Sequence, residues 1–320
     1  MRPGAVPEPG AAPGPDAVPE PVAAREARAA PEPVVAPASA APEPVPPQPL
    51  DPAAAIARLG ELVLIDVRDE EAFGAGHIEG SGNVPLSRFK ERRAELPPRE
   101  AAVLVAGEDE HQAREAAFAL HGHGFARVRW LDAPVASIGS GATHRGPAAR
   151  LWRPAPFLVE VLSALPRGRA ADLAAGSGRE AVFLAMNGYE AEAWDSAPEA
   201  LSRAEALATR HGVRLTTVTC DLEQASPPLP HERYDLVVCF RFLHRPLFPA
   251  IERALAPAGH LVYETYRAGQ ERYGKPRRPA FLLERGELRR AFPTLEVMRY
   301  EELESEGGPV TARLWARKGH

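Results

Sequence analysis

Short apolar runs, each closed by a glycine- or proline-bearing turn, alternate along most of this chain with segments whose apolar residues fall at helical spacing. The first pattern predicts buried strands and the second predicts amphipathic helices. Between 51 and 135 the strand runs are 61–68, 101–107 and 126–132, with helical spacing at 69–76 and 111–125. From 151 onward, strands are expected at 169–175, 191–195, 214–222, 234–244 and 260–266, and helices at 156–165, 179–187, 198–212 and 247–256. Two further runs, 295–304 and 310–318, make a closing pair, and the last alternates as an antiparallel strand does. Strand–helix alternation predicts an α/β fold with largely parallel sheets. The unbroken apolar stretch within 234–240 suits a central strand covered on both faces.

Proline and alanine set the outer limits. The first 50 residues hold 15 of the 35 prolines, 13 alanines and no aromatic residue, so 1–50 is expected to be a disordered tail. The glycine- and proline-punctuated stretch 136–150 reads as a linker. Two domains follow, 51–135 and 151–320.

The chemistry concentrates at 169–179, RAADLAAGSGR. An apolar run ends in a turn with Gly176 and Gly178, and a helix begins at once. Such a turn lets a ligand lie against bare backbone. The next strand ends on Asp195, where a carboxylate can accept hydrogen bonds from both ribose hydroxyls of a nucleoside cofactor. The third glycine of a dinucleotide fingerprint is missing, and Asp172 before the turn suits a cationic ligand better than a pyrophosphate.

These residues resemble motif I of the class I S-adenosylmethionine-dependent methyltransferases, [DE]-x-G-x-G-x-G, with Ala174 at the first glycine position. The resemblance implies a Rossmann-like seven-stranded sheet over 151–320 and S-adenosylmethionine as cofactor. It implies Asp172, Ala174, Gly176, Gly178, Asp195 and Asp221 as cofactor-binding residues, with Asp221 on the adenine amino group. Ligands in such sheets sit at the carboxyl ends of the strands, which also gathers Arg241, His244, Glu264 and Tyr266 around the crevice.

The smaller domain carries DVRDEEAFGAGHIEGSGNVPL over 66–86. Asp66, Arg68, Phe73, Gly76, His77, Gly80, Asn83 and Pro85 match the rhodanese signature, so 51–135 resembles a rhodanese-like α/β domain. Rhodaneses carry sulfur on a cysteine after the central strand. Glycine stands at the aligned position, Gly107, followed by Glu108, Asp109 and Glu110. A glycine offers no nucleophile, and three carboxylates oppose a thiolate. A non-catalytic scaffold is expected.

Methyl transfer to a soft acceptor needs little base, whereas an amine or hydroxyl must lose a proton. No Asn-Pro-Pro-Tyr tetrad follows the 234–240 run; the exit reads RFLHRP. His244 is the candidate base, Arg241 a candidate partner for an anion or for Glu264, and Glu264 a candidate substrate ligand. The later pattern E-x-Y-G-x-P, P-x-F-L-L and G-E-L over 271–288 resembles bacterial methyltransferases distantly similar to tellurite-resistance and thiopurine-type enzymes. That resemblance implies a small soft acceptor, a thiol or related chalcogen. Arg267, Arg272, Lys275, Arg277 and Arg278 leave an RNA methyltransferase open as an alternative, and a non-enzymatic binding module is another.

A net charge of −5 argues against a surface that tracks nucleic acid throughout. The two cysteines, Cys220 and Cys239, sit in apolar runs and read as buried thiols, with no metal site expected. No apolar run approaches a membrane span, and a cytoplasmic location is expected.

Overall fold

The computed structural model describes residues 45–139 and 141–319. The tail expected over 1–50 therefore lies outside the described residues through position 44. Its end differs from expectation, because Gln48–Leu50 is a strand, β1, that pairs in parallel with Arg129–Leu131. Leu50 is buried there, and this apolar contact outweighs the proline content.

The first domain continues with α1 (Pro52–Ala57), β2 (Val63–Asp66), α2 (Glu70–Ala75), β3 (His77–Ile78), β4 (Gly82–Asn83), β5 (Ala102–Ala106), α3 (Glu110–Gly122) and β6 (Arg127–Leu131). Its sheet has the order β1-β6-β5-β2-β4, with every pair parallel. The linker region is tied down. Strand β7 (Thr143–His144) pairs antiparallel with β3, and the Ala149 N–H donates to the Ser81 carbonyl at 2.9 Å. Adjacent residues then enter different cores: Leu151 packs with Ile65, Val84 and Phe89, and Trp152 packs with Phe157, Leu158 and Val182.

The second domain comprises α4 (Pro156–Val161), β8 (Arg169–Leu173), α5 (Arg179–Met186), β9 (Glu190–Asp195), α6 (Pro198–Arg210), β10 (Thr216–Thr219), β11 (Tyr234–Phe240), α7 (Phe248–Ala254), β12 (Leu255–Tyr266), α8 (Glu287–Arg290), β13 (Glu296–Glu304) and β14 (Val310–Arg317). Among the described residues its sheet has seven strands in the order β10-β9-β8-β11-β12-β14-β13. Strands β10 to β12 are parallel, and β14 is antiparallel to both neighbours. Central β11 shows why its sequence is apolar throughout. Leu236 and Val238 enter the layer under α4 and α5, while Val237 and Cys239 enter the opposite layer with Phe248 and Phe292.

Two tryptophan–histidine pairs make the fold sensitive to acid. The Trp152 Nε1–H donates to His211 Nε2 at 3.0 Å, and the Trp315 Nε1–H donates to His260 Nδ1 at 2.7 Å. Each accepting nitrogen must be unprotonated. Burial lowers the pKa of His211, with Glu95 opposing and Arg150, Arg210 and Arg92 reinforcing. Burial and Arg317 lower that of His260. The folded-state values lie below the unfolded value of about 6.5, so the unfolded chain binds more protons in that window. This stabilisation is present above about pH 6.5 and is lost as pH falls through the depressed values. The melting temperature should drop between pH 7.5 and 5, and His211→Gln should flatten the slope; an unchanged slope would rule out this origin.

Candidate cofactor and methyl-transfer site

Strand β8 ends at Leu173, and the chain turns through two left-handed residues, Ala174 (φ 57°) and Gly176 (φ 54°), before Gly178 (φ 73°) caps α5. An alanine in this conformation costs about 1 kcal/mol relative to glycine, so the departure at Ala174 concerns backbone geometry more than side-chain size. The two glycines have different roles. A Cβ added at Gly176 would meet nothing within 4 Å, whereas one at Gly178 would lie 2.4 Å from the Ala204 Cβ. Gly176 thus presents open backbone to a ligand. Gly178 also lets α6 pack against the turn, a role the sequence did not suggest.

Asp195 clamps the loop. Its Oδ2 accepts the Gly176 N–H at 2.8 Å and its Oδ1 accepts the Ala197 N–H at 2.9 Å. The carboxylate is half-buried and keeps lone pairs for a diol. Asp172 lies deeper, 2% exposed, and accepts the Ala181 N–H at 3.0 Å. Burial and the neighbouring Glu180 push its carboxyl well above the usual carboxylate range. It therefore anchors the first turn of α5 from beneath the loop. Asp221 is exposed and accepts the Glu223 N–H at 2.9 Å; its neighbour Cys220 donates its N–H to the Asp195 carbonyl.

A cavity of about 800 Å³ opens over this loop, lined by Ala174, Gly176, Ser177, Arg179, Phe240 and Arg241. A second chamber of about 500 Å³ shares Arg179, Phe240 and Arg241 and extends to Glu264, Tyr266 and Thr311. Arg241 stands between them, left-handed (φ 59°), with its N–H donated to the Glu264 carbonyl at 2.8 Å. A bulky residue held in that conformation stores backbone strain where the two chambers meet. Burial raises the Glu264 carboxyl, and Arg313 partly opposes this. Among the described residues Glu264 and Arg241 form no ion pair, so the partnership weighed for Arg241 is absent. His244 lies at the start of the turn Arg245–Leu247 and lines neither chamber.

The basic loop is partly neutralised. Arg272 pairs with Glu304 at 2.6 Å, and Arg267 pairs with Glu304 at 3.4 Å. Lys275, Arg277 and Arg278 line a third cavity of about 700 Å³ with Phe242 and Phe281, and this cavity shares Arg241, Thr265 and Tyr266 with the second chamber. The signal missed in the sequence is the first domain's KERRAELPPRE over 90–100. Lys90, Arg93, Leu96, Pro98 and Arg99 of this segment line the cavity over the glycine loop. Only the folded juxtaposition of the two domains gives them that position.

In the smaller domain the signature residues are occupied with one another. Arg68 Nη2 donates to Asp66 at 2.6 Å and to the Gly76 carbonyl at 2.8 Å, and Asn83 Nδ2 donates to the Asp66 and Arg68 carbonyls. Beyond β5 the chain closes directly into α3: the Asp109 side chain accepts the Gln112 N–H, and the Glu108 N–H donates to Gln112 Oε1. A Cβ at Gly107 would lie 2.8 Å from the Ala113 nitrogen and 3.0 Å from the Asp109 carbonyl. Gly107→Cys should therefore lower the melting temperature and give no persulfide turnover with thiosulfate; brisk turnover would show that the loop can still cradle a thiolate.

Strand order, glycine turn and acidic strand end together define a class I methyltransferase-type domain, preceded by a rhodanese-like domain. Comparison with known proteins agrees: residues 170–259 match the model of a methyltransferase domain, and 51–135 match that of a rhodanese-like domain. The chain carries both. An uncharacterized Schizosaccharomyces pombe protein, UNK4.09, is 23% identical over 287 residues, spanning 71% of this chain and 84% of its own. TehB from Haemophilus influenzae is 18% identical with a TM-score of 0.44, over 50% of this chain and 61% of TehB. An S-adenosylmethionine-dependent methyltransferase from Mesorhizobium loti is 19% identical with a TM-score of 0.42, over 51% of this chain and 98% of its own. Among the described residues, no helix is long and apolar enough to cross a membrane, and no cluster of three or more His, Cys, Asp or Glu could hold a metal ion.

Proposed function

We propose that this chain is an S-adenosylmethionine-dependent methyltransferase acting on a small molecule, with a soft nucleophile such as a thiol or related chalcogen as acceptor. The Gly176–Asp195 clamp carries this reading. It offers open backbone lining a cavity of about 800 Å³ and, bonded to that backbone, a half-buried carboxylate with spare lone pairs, within a domain of matching family. These groups suit an adenosine ribose.

When bound, the cofactor supplies an electrophilic methyl group. The chain's own part is alignment and exclusion of water, since an in-line displacement needs little else from the protein. Gly176 and Asp195 hold the sugar end, and Phe240 and Arg241 form the passage to the second chamber. Glu264 lies in that chamber and His244 does not, so Glu264 is the better placed to take a proton from an acceptor that carries one. The rhodanese-like domain has no part in sulfur transfer on this reading.

The test is calorimetry with S-adenosylhomocysteine, followed by release of that product from S-adenosylmethionine across a panel of thiols and chalcogen oxyanions. Binding plus turnover with a soft acceptor is expected. Absence of binding would remove the cofactor assignment, and turnover confined to RNA would remove the small acceptor.

A further inference from the structure

The cavity over the glycine loop has walls from both domains. Lys90, Arg93 and Arg99 face it from the rhodanese-like side, and Arg179, Arg203 and Arg241 from the methyltransferase side. Among the described residues, none of Lys90, Arg93, Arg99, Arg179 and Arg241 forms an ion pair, and Arg203 donates only to the Ser177 hydroxyl at 3.3 Å. Two carboxylates share these walls, and both are engaged: Glu91 pairs with Arg88 at 3.4 Å, and Glu180 accepts the Ala155 N–H at 3.1 Å. Like charges gathered in a cleft focus a positive field, and an anion entering it gains charge-assisted hydrogen bonds. In the 267–278 loop Arg267 and Arg272 are already matched by Glu304, while Lys275, Arg277 and Arg278 line the neighbouring cavity that shares Arg241.

The wall is anchored. Arg92 is buried, donates to the Asn83 carbonyl at 2.8 Å and binds Glu95 through both its Nε and Nη2. Glu95 in turn accepts from Arg210 at the end of α6. This Arg92–Glu95–Arg210 bridge holds the 90–99 segment against the second domain. Leu96 and Pro98 line both the cofactor-side cavity and the chamber holding Glu264, so the segment roofs the passage between them. Consecutive prolines at 97 and 98 limit how far that roof can bend.

We propose that the rhodanese-like domain forms the outer wall of the methyl-transfer site, and that its Arg93 and Arg99, with Arg241, hold a small anionic acceptor on the cofactor side of the passage to the Glu264 chamber, which Arg241 also lines. The proposal rests on the cofactor reading and adds the charge class of the substrate and a role for the first domain. The transfer itself balances simply: an acceptor lone pair forms the new bond to carbon, and the departing pair neutralises the donor sulfonium. The anionic group stays bound to the arginines throughout.

The probe is inorganic sulfate, titrated by calorimetry into the full chain saturated with S-adenosylhomocysteine. Wild type should bind sulfate. Arg93→Glu/Arg99→Glu should weaken sulfate binding by at least about tenfold while leaving S-adenosylhomocysteine affinity within about twofold. Arg93→Gln/Arg99→Gln should show the same direction with a smaller change, and the melting temperature verifies folding of each variant. A charge-matched control on exposed helix positions, Arg114→Glu/Arg289→Glu, should leave sulfate binding nearly unchanged. Failure of wild type to bind sulfate, or equal loss in the control, overturns the proposal while the cofactor reading stands. Failure to bind S-adenosylhomocysteine overturns the cofactor reading, and this proposal with it.

Discussion

Asp195→Ala is expected to weaken S-adenosylhomocysteine binding by about 1–3 kcal/mol, measured by calorimetry. The carboxylate acts twice. It fixes the loop through the Gly176 and Ala197 N–H groups, at 2.8 and 2.9 Å, and it retains acceptor capacity toward a ribose. Alanine leaves both amide donors without their partner and the sugar hydroxyls without an acceptor. Asp195→Asn keeps one acceptor oxygen and should lose less. Unchanged affinity in the alanine variant would mean that the sugar does not bind at this strand end. A fall in melting temperature without loss of affinity would confine the residue to loop structure.

Glu95→Ala should be the most destabilising single change away from the two cores, at about 3 kcal/mol in denaturant unfolding. Glu95 lies between Arg92 and Arg210, and its side chain is 10% exposed. Removing it leaves two guanidinium groups facing one another, with the exposed Glu70, 3.4 Å from Arg92, as the remaining acidic partner. Arg210→Ala alone should cost less, because its side chain is 28% exposed and regains hydration more easily. The double variant should fall well short of the sum, since one removal relieves the repulsion left by the other. Additive losses would mean that the bridge does not couple the domains.

Much of the fold was legible because its cause is local. The apolar run of β11 and the alternation of β14 follow from the faces each strand must cover. The left-handed turn at Gly176 and the strand-end position of Asp195 were legible because each leaves a short local signature. Gly178 looked like a second ligand position, and only the approach of Ala204 from α6 reveals its packing role. His244 had suitable chemistry at a suitable strand exit, but the backbone turns before its side chain reaches either chamber. Arg93 and Arg99 could not be assigned from sequence at all. Their placement depends on a Glu95–Arg210 contact across 115 residues of chain, which no local pattern encodes. The strand Gln48–Leu50 escaped for the same reason, since its partner β6 lies about 80 residues away in the chain.

The adjacent pair Leu151 and Trp152 bears on how this protein can be taken apart. One side chain is packed into each half, so a fragment boundary placed before 151 or after 152 takes a buried side chain away from one core. Fragments made on either side of the 151–152 pair should be less stable than the whole. What reads in sequence as the end of a spacer is, at this seam, shared between both cores.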